Sequence, residues 1–443
     1  NVSDLRLLVV PGGTSPASVA MAHASLHKLA ELYEERQADP DHPAPHTVVV
    51  IRDPELVPPS SLRTAATTPR EAFPPELYPE LADRIDDPAL FDDIDLVLAS
   101  SGSSGEPRLV GLSIDALMAS VKATHSVLEG PGRWILALSS HHIAGAQVLM
   151  RAAATEISPQ IVDCSHGFNP KDLLPAIAGA TSDPSLPGYL SLVPTQLVDC
   201  LNAGDEVVSA LARLHTILIG GTRLDPALRQ RAEDAGLTIV ESFGMTETCG
   251  GCVYDGVPLP GVMVRTLDWE GATRIAIAGP VLLTRYLVGD TPFHDEAGTR
   301  WFISGDTGVI DAGGRLKVLG RADDMIISGG LNIPPIRVED ALKNVAGIKD
   351  AWALGLNDEK WGQALSCLVV PEDAPSFPPP PEFVEEQGHR IREAVSSQIG
   401  RPQAPRRVIF VSSIPQLSSG KVDRIAARQL AESLTGTESE WRR

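Results

Sequence analysis

A hydroxyl stands beside a carboxylate at Thr246-Glu247, near the end of Glu241-Ser-Phe-Gly-Met-Thr-Glu-Thr248 and just ahead of Cys249-Gly-Gly-Cys-Val-Tyr-Asp-Gly256. A threonine hydroxyl can hold a phosphate oxygen, and a glutamate carboxylate suits a hard cation such as Mg²⁺. A solvated turn or helix cap presents the same pair. A second run, Ala99-Ser-Ser-Gly-Ser-Ser-Gly-Glu-Pro-Arg108, has the makings of an anion cradle. Gly102 and Gly105 allow backbone that turns successive N–H groups inward, Ser101, Ser103 and Ser104 add donors, and Arg108 adds fixed charge. A flexible Ser/Gly connector is the alternative, and the lysine of a Walker loop is absent. Asp306, beside Gly305, is suited to a ribose diol, and Arg321 to the same sugar or a phosphate; a turn aspartate and a surface ion pair are the plain alternatives. Lys421 follows a flexible Ser-Ser-Gly, where a solvated loop charge is the commoner role.

These groups need elements to hold them. Apolar runs at Leu7–Val10, Thr47–Ile51, Ile94–Leu98, Trp134–Leu138, Tyr189–Val193, Thr216–Ile219 and Leu237–Val240 alternate with helical stretches such as Ser113–Leu128 and Asp225–Ala235. That alternation predicts an α/β fold of parallel sheets flanked by helices. Thr246 and Glu247 then leave the open end of a buried strand, where ligands of such sheets gather. A β-rich part spans about 261–320, and a smaller α/β domain follows Arg321, with Pro371–Pro381 a stiff surface loop inside it. Pro11-Gly-Gly-Thr-Ser15 is a turn.

With 37 Lys plus Arg against 57 Asp plus Glu, the formal charge is −20. Nucleic acid and anionic membrane surfaces both demand basic patches, so neither is the expected partner. No apolar run is long enough to span a bilayer, and no secretory leader is visible; a cytoplasmic protein is expected. Five scattered cysteines do not make a disulfide framework, and Cys249-Gly-Gly-Cys252 has neither a second pair nor a nearby histidine to complete a zinc site. The two cysteines are expected to line a pocket as small residues.

In this order and spacing, over roughly residues 95 to 425, the segments resemble the adenylate-forming superfamily of acyl-coenzyme A synthetases, adenylation domains and luciferases. His141-His-Ile-Ala-Gly-Ala-Gln-Val-Leu-Met-Arg151, Gly220-Gly-Thr-Arg-Leu224 and Gly244-Met-Thr-Glu-Thr-Cys-Gly-Gly-Cys-Val-Tyr-Asp-Gly256 are most similar to the 2-succinylbenzoate-coenzyme A ligases of menaquinone biosynthesis, in their compact actinobacterial form. The usual phosphate loop of the superfamily has Thr-Thr-Gly and a lysine after proline; here Ser103-Ser104-Gly105 and Arg108 keep the hydroxyls and the charge.

The resemblance implies a large adenylating domain, 1–320, and a small mobile carboxyl-terminal α/β domain, 321–443, turning on a hinge near 321–324 at Asp323. It implies ATP, Mg²⁺, coenzyme A and a small carboxylic acid as ligands, and it is compatible with a homodimer. It gives Lys421 the acyl carboxylate and α-phosphate, Glu247 the metal, Thr246 an α-phosphate oxygen, and Ser101, Gly102, Ser103, Ser104, Gly105 and Arg108 the pyrophosphate. Asp306 and Arg321 then hold the ribose, Gly220, Gly221 and Thr222 border the adenine, and Ser328, Gly329 and Gly330 line the pantetheine path. His142 falls where acid meets coenzyme A, with a structural histidine beside His141 as the alternative. Arg151 falls to a second carboxylate of the acid, with a surface salt bridge as the alternative. Thr195, Gln196, Gly250, Gly251, Val253 and Tyr254 complete the acyl pocket. Another acid in the same chemistry, and a silent nucleotide-binding paralogue, stay open.

Overall fold

The computed structural model describes residues 5–39, 46–56, 67–100, 108–417 and 421–443. The loop Ser101–Gly105 therefore lies outside the described residues. The chain forms two compact units: Asn1–Arg265, Ala276–Ile303 and Asp311–Leu316 in the first, Thr266–Ile275, Ser304–Ile310 and Lys317–Arg443 in the second. This differs from a single boundary at 320, because strand neighbours rather than chain order decide membership. The Ser304 amide donates to the Ile275 carbonyl, so 304–310 goes with 266–275 into the second unit.

In the first unit, β1 (Arg6–Pro11), β2 (Thr47–Arg52) and β3 (Leu96–Ser100) run parallel, and β4 (Arg108–Leu112) returns antiparallel to β3. A short strand, Arg285–Tyr286, pairs with β4. A second sheet is built from β5 (Arg133–Leu136), β6 (Gln160–Ile161), β7 (Gly188–Leu192), β8 (Thr216–Ile219), β9 (Ile239–Met245), β10 (Gly250–Tyr254) and β11 (Val257–Pro258). Its order is β11-β10-β9-β8-β7-β5-β6, parallel from β6 to β9 and antiparallel at β10 and β11. Strands β7 and β8 are buried along their whole length, which is why they read as unbroken apolar runs rather than alternating ones.

Helix Ile114–Val127 starts at Ser113, whose hydroxyl accepts from the Ala116 amide and so satisfies one orphan donor. Helix Ile143–Thr155 lies close to the end of β5 because Gly145 has no Cβ; one added there would run into the Leu138 and Ser139 carbonyl oxygens.

In the second unit, strand Gly362–Pro371 is central, flanked by Ile348–Asp358 and by the parallel Arg407–Phe410. Leu365, Cys367 and Val369 face one core, with helices Pro335–Lys343 and Pro381–Ile399, while Leu368 and Val370 face another with helix Arg424–Leu434. Period-two alternation thus serves two apolar layers from one strand.

Candidate active site

Strand β5 has β6 on one side and β7 on the other, so chain order reverses there, and its carboxyl end opens where α/β sheets bind ligands. His141 and His142 follow β5, Thr195 and Gln196 follow β7, Gly220, Gly221 and Thr222 follow β8, and Thr246 and Glu247 follow β9. Parallel pairing alone therefore gathers these scattered residues at one sheet edge.

Thr246–Thr248 is a single 3-10 turn, buried and packed against β3 and β4. Tyr286 donates its hydroxyl to Glu247 Oε1 at 2.8 Å. Burial first, and then the Glu247 charge, push the Tyr286 phenol well above the ordinary tyrosine range, so it remains a donor. The Arg108 guanidinium lies 5.2 Å from the Tyr286 ring centroid. Tyr286 is a partner of Glu247 that sequence reasoning missed, since it lies far along the chain and reaches the turn through the pairing of Arg285–Tyr286 with β4. One Glu247 oxygen is thereby held, and a carboxylate fixed in this way could offer its other oxygen to a hard cation. Among the described residues there is no group of three or more His, Cys, Asp or Glu that could hold a metal ion.

The turn ends at Cys249 in the left-handed region, φ 51°, followed by Gly250 at φ 94°. Cys249 and Cys252 are free and wholly buried, so they pack in the interior rather than line an open pocket. Burial raises both thiols, Cys252 to about 12. Val253 is buried, and Tyr254 shares a hydrogen bond with the Thr124 hydroxyl at 3.0 Å. Gly251 approaches the Ser242 hydroxyl too closely for a Cβ. Gly220 sits against the Ser242 carbonyl, where a Cβ would be 3.1 Å from the oxygen.

His142 is the residue before helix Ile143–Thr155, its ring 4.3 Å from that of His141. His141 packs on Gly12, with Asp53 3.8 Å away; burial lowers its pKa and Asp53 opposes this. Gln196 accepts from the Val193 amide and donates to the Ala137 carbonyl at 3.0 Å. Both ends of its amide are thus engaged with backbone, tying the loops after β5 and β7 together rather than reaching for an acid.

The surface salt bridge given as the alternative for Arg151 is not formed among the described residues. Arg151 is 3% exposed, it lies 4.4 Å from the Trp134 ring centroid, and its Nε has no hydrogen-bond partner. Burial lowers its pKa. Trp134 also donates to His125 Nε2 at 3.4 Å, and burial together with Arg151 takes His125 down to about 4. A buried guanidinium with no carboxylate among the described residues is costly to keep unless an anion arrives.

In the second unit Arg321 lies 3.7 Å from Asp306 and 3.9 Å from Asp323, and Arg274 holds Asp323 at 3.2 Å. Lys421 is half-buried rather than a solvated loop charge; it sits in a hairpin closed by the Leu417 amide on its own carbonyl, with Gln416 bridged to Val422. Burial lowers its pKa, as do Arg424 and Arg321, while the Asp306 charge opposes them. The fold thus brings Asp306, Arg321 and Lys421 together.

A separate cavity of about 690 Å³ in the same unit is lined by Ser328, Gly329, Trp361, Arg392, Arg406 and Arg407, among others, with Arg406 stacked 3.6 Å from the Trp361 ring centroid. Gly330 is not in its wall. Its arginines come from 392–407 and from Arg442 and Arg443, and sequence reasoning did not single them out.

The AMP-binding enzyme family model matches residues 1–287, and the model of the AMP-binding enzyme C-terminal domain matches 337–421. A probable 2-succinylbenzoate–CoA ligase of Mycobacterium tuberculosis is 38% identical over 76% of this chain and 84% of its own length. The 2-succinylbenzoate–CoA ligase of Enterococcus faecalis is 26% identical over 76% of this chain and 69% of its own. In fold, the chain is similar to o-succinylbenzoate CoA synthetase from Bacillus subtilis, solved in complex with the acyl-adenylate intermediate OSB-AMP, with TM-score 0.66 and 19% identity over 96% of this chain and 95% of that one. The family models and the mycobacterial relative show that this chain belongs to the AMP-binding enzyme family.

Proposed function

We propose that the chain is an ATP-dependent 2-succinylbenzoate–coenzyme A ligase of menaquinone biosynthesis. A carboxylate oxygen of the acid attacks the α-phosphorus of ATP, the bond to the β-phosphate breaks, and pyrophosphate leaves. The coenzyme A sulfur then attacks the acyl carbonyl, AMP leaves, and the thiol proton passes to the medium. ATP and coenzyme A as substrates put the reaction in the cytoplasm.

The observation that carries the choice of acid is the burial of Arg151 with its Nε unpaired and no carboxylate beside it among the described residues. A dicarboxylic acid has one carboxylate to activate and a second to neutralise that guanidinium, whose planar fork suits it. Thr246 and Arg108 serve the phosphates, and Glu247, held by Tyr286, is the protein ligand for Mg²⁺, which supplies positive charge to the phosphate oxygens. Lys421 bridges acid and α-phosphate, Asp306 and Arg321 take the ribose, and Asp323 is the pivot of the small domain. The arginine-rich cavity beside Ser328 and Gly329 supports coenzyme A as acceptor, because a nucleotide bearing phosphates suits stacked Arg406–Trp361 and its cationic neighbours.

The test is thioester formation with a panel of mono- and dicarboxylic acids including 2-succinylbenzoate, with pyrophosphate release followed in parallel and Lys421→Ala as control. Lys421-dependent turnover of 2-succinylbenzoate is expected. Turnover of a different acid would overturn the substrate and leave the chemistry; no turnover of any acid would overturn both.

A further inference from the structure

The Cys249 carbonyl, one residue past the Thr246–Thr248 turn, accepts two hydrogen bonds from side chains of two different helices. Ser120 Oγ donates at 3.0 Å from helix Ile114–Val127, and Gln147 Nε2 donates at 2.8 Å from helix Ile143–Thr155. Both donors are buried, Ser120 completely. The residue they grip is in the left-handed region at φ 51°, a conformation that a side-chain-bearing residue keeps only when its surroundings insist. The turn it terminates carries Thr246 and Glu247. The same helix that carries Gln147 carries Arg151 one turn on and begins at His142.

Gln147 makes this bond at a cost to the fold. Its Nε2 is committed to the Cys249 carbonyl, and that fixes which way the amide points. Its Oε1 is then left inside the protein with no donor, although the residue is 1% exposed. A buried acceptor without a partner lowers stability, and an apolar side chain of the same length would avoid the loss. A Cβ at Gly250 would stand 3.4 Å from the Gln147 Cγ, so the Gln147 side chain runs alongside the residue that follows Cys249. A glutamine that leaves a buried acceptor unpaired, yet aims at the strained residue that ends the Thr246–Thr248 turn, is placed for geometry rather than for stability.

We propose that Gln147, aided by Ser120, is a positioning residue that holds Cys249 in its left-handed conformation and thereby fixes the Thr246–Glu247 turn for adenylate formation. This rests on the ligase reading for its consequence in activity, but the holding of the turn can be read without it.

Gln147→Met removes the donor at constant length and leaves the Cys249 carbonyl its bond from Ser120; Ser120→Ala removes the other donor and guards against a variant that fails to fold. In each, the kcat of pyrophosphate release is expected to fall at least tenfold with KM for the acid changed less than threefold. The Tm of Gln147→Met should equal or exceed that of the parent. Alkylation of native protein, read by mass spectrometry on the peptide carrying Cys249 and Cys252, should run at least tenfold faster, while buried Cys367 in the other unit keeps its parent rate. Alkylation and kcat both within twofold of the parent would overturn the proposal, and so would a loss expressed wholly as a higher KM for the acid with unchanged alkylation, which would make Gln147 an acid contact. If the parent itself turns over no acid, the ligase reading falls, and the alkylation rates still decide the role of Gln147.

Discussion

At the scale of single residues, the site depends on which polar groups are satisfied and which are left waiting. Glu247 has one oxygen taken by Tyr286, so Tyr286→Phe frees the carboxylate to rotate. Partners of a metal ligand are commonly worth about 10–100-fold in affinity, and the Mg²⁺ concentration for half-maximal pyrophosphate release should rise by about that factor, with stability little changed. Arg151 is the opposite case. Its contact with Trp134 is worth about 0.5–2 kcal/mol, whereas the penalty for a charge held out of water is several kcal/mol, so desolvation wins. Arg151→Met should therefore stabilise the fold by about 1 kcal/mol or more in thermal or urea unfolding. The same variant should raise KM for a dicarboxylic acid by about tenfold, equivalent to about 1.4 kcal/mol, and leave that for a monocarboxylic acid unchanged.

At the scale of elements, helix Ile114–Val127 is joined to β5 through the indole of Trp134 on His125 Nε2. That bond needs the nitrogen unprotonated. The pKa of His125 is about 4 in the fold, below its ordinary 6.5, because burial and Arg151 both disfavour the cation. The unfolded chain therefore takes up the proton first as pH falls. The contribution is complete above about pH 6.5 and drains away toward pH 4. His125→Gln, which keeps an acceptor that does not titrate, should flatten that acid limb; Tm against pH from 4 to 8 for parent and variant is the measurement, and parallel curves would refute the assignment.

At the scale of the whole molecule, a chain with formal charge −20 must gather positive groups locally to hold polyanions. Positive groups cluster in each unit separately: Arg108 beside Tyr286 in the first, and in the second Arg321 near Lys421 and the arginine-lined cavity. If the cavity serves coenzyme A, its variants should separate the two half-reactions. Arg406→Ala should raise KM for coenzyme A in thioester formation by about tenfold, a loss of about 1.4 kcal/mol, while pyrophosphate release without coenzyme A keeps its rate. Equal losses in both would remove the cavity from the acceptor step.

Much of the fold was legible in residue order, because strands buried on both faces must be apolar throughout. The runs at Thr216–Ile219 and Tyr189–Val193 became β8 and β7 almost residue for residue. The place of Thr246 and Glu247 at the end of a strand was legible too, since the apolar run Leu237–Val240 leads into β9 and the turn follows it. Membership of the two units was not, because pairing of 266–275 with 304–310 depends on hydrogen bonds between segments far apart in the chain. Nor were Tyr286 on Glu247, Gln147 on the Cys249 carbonyl, or the burial of Arg151, which from its type alone belonged at the surface. Sequence by itself determined which elements form and what chemistry stands at their ends, since periodicity and side-chain type are local properties. Only tertiary structure decided which of those groups are satisfied, because a partner for a buried polar atom comes from wherever packing brings one.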